Sequence, residues 1–441
     1  MTKTLRLYTK IVLSLLMSAL IFGILSSWAY LYPELFNKYL PFYQMRPFHT
    51  SSALFFIISG GTLGIMLFTK DVFIKTPFQL KLERVFILCW STTILIIFIS
   101  YLLKRFGGRE YWEFPAWLAL PLLLSWCCLM MSYFISWYKT RNIKPLYIWM
   151  WSTGIFFFFL TFIEQNLWQI PWFRESFLRE LTVQWKANGS MVGAWNQMIY
   201  GSSLYLMVKI SGKQEIATDK KAFFFYFLGF TNLMFNWGHH IYNLPTHNWV
   251  RHISYIISMT EWLILISIIR GFKAKLSESR KLKHLIPYRF LMASEFWVFA
   301  NLILALFMSI PAINRFTHGT HITVAHAMGT TIGINTMILL AIIGYSIKID
   351  NLDIVRKTIF LKAFYLTQIS FGIFWLALIS AGVLKGYRSI ILKIGSFQEM
   401  MKPVNIAIIV FAIAGLFAAT GLSTIALMYW KLVNHCKENV K

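Results

Sequence analysis

Thr317-His318-Gly319-Thr320-His321-Ile322-Thr323-Val324-Ala325-His326-Ala327-Met328-Gly329 leads into an apolar run that spans 320–347. That run exceeds the roughly 20 residues a helix needs to cross a bilayer. Within it His326 and Met328 stand two positions apart. Two residues of α-helix rotate a side chain through about 200°, so imidazole and thioether face opposite sides. Both are axial ligands of haem iron, and one helix so equipped can serve two haems. The plainer alternative is an interface histidine beside a methionine that fills a membrane core.

Similar runs recur through the chain. Of its 441 residues, 57% are hydrophobic and 13% charged, too few polar groups to cover a soluble protein of this size. The runs fall at about 9–32, 48–68, 85–103, 115–137, 147–163, 187–209, 222–242, 252–271, 290–311, 320–347, 361–383 and 404–431. Lipid leaves backbone groups no water to bond, so runs of this length become helices. The expected fold is all-α: a polytopic bundle of about twelve transmembrane helices, one domain over 1–441, with no soluble domain or long linker.

The formal net charge of +25 first suggests a nucleic-acid partner, and its distribution argues against one. With the N-terminus in the cytoplasm, about two-thirds of all Lys and Arg collect on the cytoplasmic side, among them Lys3, Arg6, Lys10, Lys70, Lys75, Lys81, Arg84, Lys139, Arg141, Lys144 and the run from Arg270 to Arg289. The charge therefore orients the chain against an anionic lipid surface. Twelve spans return the C-terminus to the cytoplasm as well. The first apolar stretch is too long for a signal-peptide core and reads as a retained helix. Cys89, Cys127, Cys128 and Cys436 make no paired framework, and no Cys-x-x-Cys-His attaches a c-type haem.

This topology puts His49 at the start of span 2, Asn188 at the start of span 6, His239 and His240 at the end of span 7, and His326 early in span 10. All five then share the outer half of the membrane. Intramembrane histidines are costly and mark function, and one shared depth is not what scattered packing residues would give.

Each constellation carries a plain reading beside a chemical one. His49, in Met45-Arg46-Pro47-Phe48-His49-Thr50, either sits at the interface or ligates a haem whose opposite ligand comes from Met328 or His326. Trp237-Gly238-His239-His240 puts adjacent histidines about 100° apart on a helix, so holding one metal with both requires a local distortion that Gly238 and the helix end allow. Imidazole suits iron, copper and zinc alike. Gly108-Arg109-Glu110-Tyr111-Trp112-Glu113-Phe114-Pro115 reads equally as a helix start with Pro115 near the first turn or as a propionate clamp. In the second reading Arg109, with Arg46, holds haem propionates, and Glu110 or Glu113 offers oxygen to a hard cation such as calcium. Glu261 lies mid-span, where a carboxylate is protonated, paired or part of a proton path. Glu295 is a second such candidate nearer the cytoplasmic end.

Over nearly its whole length the chain resembles the haem–copper oxidase superfamily, specifically the large subunit of cytochrome-dependent nitric oxide reductases. The motifs that carry the resemblance are Gly108 to Glu113, Gly238-His239-His240 and Thr317 to His326, in the family's order. The resemblance implies a low-spin haem b, a high-spin haem of the b3 type and a non-haem iron or copper beside it. His49 would ligate the low-spin haem, His326 would be proximal to the high-spin haem, and His239 and His240 would hold the metal. Glu261 would be the carboxylate near the active site. Arg109 and Glu110 would take the propionate and calcium positions.

Several positions depart from the family. Met328 stands where the family has a second histidine, and a His/Met haem should have a raised potential. Counting back without gaps from Lys209-Ile210-Ser211-Gly212, the third metal histidine falls on Asn188, the metal-binding glutamate on Val192 and a further glutamate on Asn196. Nitric oxide dismutases, which resemble this family, also carry asparagine for a metal histidine and lose the glutamate. The expected activity is nitric oxide reduction to nitrous oxide. The alternatives are dismutation to dinitrogen and dioxygen, reduction of dioxygen, and a non-catalytic haem gas sensor. A cytochrome c-type small subunit or soluble donor is expected to supply electrons, in a bacterial cytoplasmic membrane with the active site toward the outer face.

Overall fold

The computed structural model describes residues 1–36, 38, 40–140, 144–260, 281 and 283–435. Its helices form where the apolar runs predict them, and polar caps set many of their ends. Helices α1 (Lys3–Leu31), α2 (Phe42–Thr69), α3 (Pro77–Leu102), α4 (Ala119–Lys139) and α5 (Leu146–Gln165) are followed by α6 (Phe177–Ser211) and α7 (Lys220–Phe235). Then come α8 (Leu285–Ser309), α9 (His321–Ser346), α10 (Ile354–Gly386) and α11 (Val404–His435). Thr76 and Gln79 close a capping box on α3, and Asp353 caps α10. No β-strand occurs among the described residues; Arg109 and Trp112 make an isolated bridge.

Nine helices among the described residues are long and apolar enough to cross a membrane: α1 to α5 and α8 to α11. The three other expected spans differ from expectation. The span placed at 187–209 starts ten residues earlier, because Ser176 caps a 35-residue helix. Its polar residues, Gln184, Lys186, Asn188, Asn196 and Gln197, keep its hydropathy low. Asn188 therefore lies three turns into α6 and not at its start. The span placed at 222–242 is α-helical only to Phe235 and tightens to a 3₁₀ turn over Asn236–Ile241. Of 252–271, only the part up to residue 260 belongs to the described residues, and it continues a helix that begins at 248.

The chain divides into two compact units. Met1–Ile11 with Ile57–Leu285 make the first, and Val12–Phe56 with Ile286–Lys437 the second. In the first unit α3 packs on α4 and α5 on α6. Trp126 Nε1 donates to the Ile155 carbonyl and Trp151 Nε1 to Ser202 Oγ, both at 3.0 Å, so these two fully buried rings enter the core with their N–H groups bonded. A Cβ at Gly154 on α5 would stand 2.7 Å from the Ala194 carbonyl oxygen, a close approach of the small-residue kind that joins membrane helices. In the second unit α10 packs along α11, and α9 lies against α10.

Candidate functional site

The second unit holds the expected haem ligands. His49 stands seven residues into α2, just after Pro47, with Phe48 stacked on Phe22 of α1 at 4.5 Å. His49 Nδ1 donates to the Ala19 carbonyl at 2.8 Å. That bond settles the tautomer, with the proton on Nδ1 and the lone pair on Nε2. A backbone acceptor behind the ring is the usual support of a metal-bound histidine. A Cβ at Gly23 would come within 2.9 Å of His49 Cε1 and Nδ1, so α1 makes room for the imidazole with a glycine. His49 is half-buried. These features fit a haem-ligating role.

His326 and Met328 lie in the α-helical first part of α9, His321–Met328, so their opposed directions hold in three dimensions. Both side chains are half-buried. The helix around them is pinned from two sides: Trp375 Nε1 donates to the Ala325 carbonyl at 3.0 Å, and Asn301 Nδ2 donates to Thr330 Oγ1 at 2.8 Å. Thr330 in turn bonds the His326 carbonyl. His326 Nδ1 is buried beside the Asn301 backbone without a hydrogen bond of good geometry. Immediately after Met328 the chain widens into a π-helical stretch, Gly329–Thr336, a form that occurs mostly at functional sites. Arg46 is half-buried near the start of α2, and Glu295 half-buried in α8.

The first unit holds the remaining motifs. Residues 107–115 form a tight reversal in which Gly107 N donates to the Glu113 carbonyl at 3.1 Å and Trp112 N to the Arg109 carbonyl at 2.8 Å. A Cβ at Gly108 would overlap the Trp112 carbonyl oxygen at 1.5 Å, which is the physical reason this motif opens on glycine. Tyr111 takes a positive φ of 72°, a strained conformation for an aromatic residue and one found at functional sites. Arg109 pairs with Glu180 of α6 and lies 4.6 Å over the Trp168 ring. Glu110 is exposed and Glu113 half-buried in the same reversal.

His239 and His240 lie in the 3₁₀ turn, whose three residues per turn supply the distortion expected of an adjacent pair. Their ring centroids are 4.2 Å apart. His239 Nδ1 hydrogen-bonds with Asn236 Oδ1 at 3.0 Å, and Ser254 Oγ holds the Asn236 carbonyl at 3.0 Å. Helix α6 presses on this turn: a Cβ at Gly189 would stand 2.6 Å from Trp237 Cβ and 3.7 Å from His240 Cδ2. Trp185, one turn before Gly189, stacks on His240 with centroids 5.1 Å apart and planes 14° off parallel. Tyr111 meets the same Trp185 edge-on at 6.4 Å. A continuous aromatic path thus runs from the 107–115 reversal through Trp185 to the histidine pair.

Asn188, Val192 and Asn196 follow one another at helical spacing on α6. Asn188 Nδ2 is buried without a partner. Among the described residues no three His, Cys, Asp or Glu side chains group together as a metal site, so the arrangement is two imidazoles beside an amide-bearing helix. The pair fits two imidazole ligands of one metal, and among the described residues it is not joined by the third histidine and glutamate of a three-histidine, one-glutamate centre. Glu261 lies outside the described residues. Sequence reasoning passed over Trp185, Trp168, Glu180 and Asn236. The one signal for the first three was a polar and aromatic content unusual for a membrane helix in 164–196.

The profile of the family "Cytochrome C and Quinol oxidase polypeptide I" matches residues 3–424. A curated relative, a nitric oxide reductase subunit of Stutzerimonas stutzeri, is 22% identical over 455 residues, covering 94% of this chain and 91% of the relative. A solved structure of a haem–copper terminal oxidase dimer superposes with a TM-score of 0.70 at 13% identity, covering 99% of this chain and 85% of that one. The chain belongs to the cytochrome c and quinol oxidase polypeptide I family, the polypeptide I family of the haem–copper oxidases.

Proposed function

We propose that the chain is a membrane oxidoreductase that reduces nitric oxide to nitrous oxide, 2 NO with two electrons and two protons giving N2O and water. The observation that carries the reading is the adjacent His239–His240 pair packed against Trp185 and Gly189 of α6, in a chain whose family implies haem and metal cofactors in general. The similarity to a nitric oxide reductase subunit over most of both chains supports nitric oxide as the substrate.

Bound haem would supply one-electron chemistry and an open iron position for a diatomic gas. His49 and Met328 would hold a low-spin haem b, with Ala19 and Gly23 orienting His49. His326 would hold a high-spin haem of the b3 type. His239 and His240, with Asn188, would hold a non-haem iron or copper. Arg109 and Arg46 would pair with propionates, and Glu110 with Glu113 would offer oxygen to calcium. The active site would face the outer side of a bacterial cytoplasmic membrane, with both termini inside. A cytochrome c-type subunit or soluble cytochrome would supply electrons.

Asn188 and Val192 favour a second reading, dismutation of nitric oxide to dinitrogen and dioxygen. That reaction draws no net electrons, and a metal site without its carboxylate suits it. Anaerobic nitric oxide consumption by purified, haem-loaded protein tests catalysis itself. Uptake that scales with added small-molecule reductant supports reduction, and protein that binds haem but consumes no nitric oxide overturns both readings.

A further inference from the structure

In the second unit, the end that carries the first turns of α9 also carries residues 310–320 and 384–403. Two contacts join these segments into one surface, and a third folds 384–403 on itself. Lys385 Nζ donates to the Gly319 carbonyl at 3.0 Å, and a Cβ at Gly386 would stand 2.6 Å from the Phe316 carbonyl oxygen. Arg388 Nη2 donates to the Glu399 carbonyl at 2.9 Å. Below them Met400 and Met401 are buried with Ala381, Val404 and Ile408, and Leu31 and Ile394 pack on that cluster. The surface is therefore anchored.

Its charge is one-sided. The two segments contain Arg315, Lys385, Arg388, Lys393 and Lys402 against the single carboxylate Glu399. Arg315, Lys393 and Lys402 are exposed. Phe397 at 62% and Tyr387 at 50% accessibility stand among them, and aromatic rings beside Arg are what protein interfaces favour.

We propose that this face docks an electron-donor protein with an acidic surface. The inference rests on the reading that the chain takes electrons at a haem held near this end. His326 stands five residues into α9, about 8 Å along its axis, directly below Thr317–Thr320. Lipid does not account for the cations as well. On the expected orientation this end faces outward, where the positive-inside rule depletes Lys and Arg. Charge complementarity of this kind steers encounter and sets partner choice more than it adds affinity.

The test mixes haem-loaded full-length protein with ascorbate-reduced soluble cytochrome c in a stopped-flow instrument. The cytochrome is used native, with its basic surface, or with its lysines succinylated, which makes the same protein acidic. The succinylated form should reduce the chain's haem about tenfold faster at low ionic strength, and the advantage should vanish at high salt. The combined variant Arg315→Glu, Lys393→Glu and Lys402→Glu should lose that preference, while dithionite still reduces its haem with an unchanged spectrum. Equal or faster reduction by native cytochrome overturns the proposal, as does a variant that keeps the preference. So does a variant altered only in its binding to phosphatidylglycerol vesicles or in the mass of the solubilised particle, since the face would then serve lipid or a second copy. Nitric oxide uptake driven by a small diffusible reductant separates the two claims. If it persists without a cytochrome preference, docking alone fails; if it is absent while the preference stands, the reductase reading alone fails.

Discussion

The His49 imidazole is held from behind by Ala19: Nδ1 donates to the Ala19 carbonyl at 2.8 Å, which orients the ring and assigns Nε2 as the acceptor. Gly23, one turn further along α1, leaves the ring its space. The pair explains how a histidine two turns into a membrane helix is held and aimed.

A methyl group at Gly23 must displace that ring, because it would stand 2.9 Å from two of its atoms. Overpacking of this kind costs about 1–3 kcal/mol. Gly23→Ala should therefore convert low-spin haem to high-spin or lower haem occupancy, read from optical and electron paramagnetic resonance spectra. Wild-type spectra would count against His49 as a ligand.

Met328 and His326 lie on opposite faces of the eight-residue α-helical stretch His321–Met328, as their spacing predicts. If Met328 completes the low-spin haem, Met328→His should lower that haem's midpoint potential, since thioether ligation raises it. Spectroelectrochemical titration checks this. An unchanged spectrum and potential would remove Met328 from the ligand set.

Trp185 stacks on His240 nearly in parallel and is itself braced by Tyr111. Trp185→Leu should loosen the histidine pair and lower the non-haem metal content, with haem content kept. Trp185→Phe should restore much of it, because a smaller ring can still stack. Metal analysis beside the haem absorbance separates this from general unfolding, which would lose both together.

Asn188 and Val192 flank Gly189, the point at which α6 meets the His239–His240 turn. Replacing both, Asn188→His and Val192→Glu, should complete a three-imidazole, one-carboxylate set and tighten metal retention under chelator. No gain in retained metal would mean that side chains at positions 188 and 192 do not reach the histidines.

The membrane helices were legible because apolar length is a local property, and nine of the expected spans coincide with helices among the described residues. The His326–Met328 opposition was legible for the same reason, through helical period alone. The 3₁₀ turn at Asn236–Ile241 was legible only as a need for distortion between His239 and His240. The early start of α6 was missed because Ser176 caps a polar stretch that hydropathy reads as loop. Trp185, Glu180 and Trp168 were missed because their roles are contacts between residues far apart in sequence, which no local period encodes.

Product identity tests the central claim most directly. Purified, haem-loaded protein is given isotopically labelled nitric oxide without oxygen, with and without a small-molecule reductant, and the gases are followed by mass spectrometry. Reduction predicts labelled nitrous oxide only when reductant is present, one N2O per two NO and two electrons. Dioxygen and dinitrogen released without reductant would contradict it and establish dismutation instead.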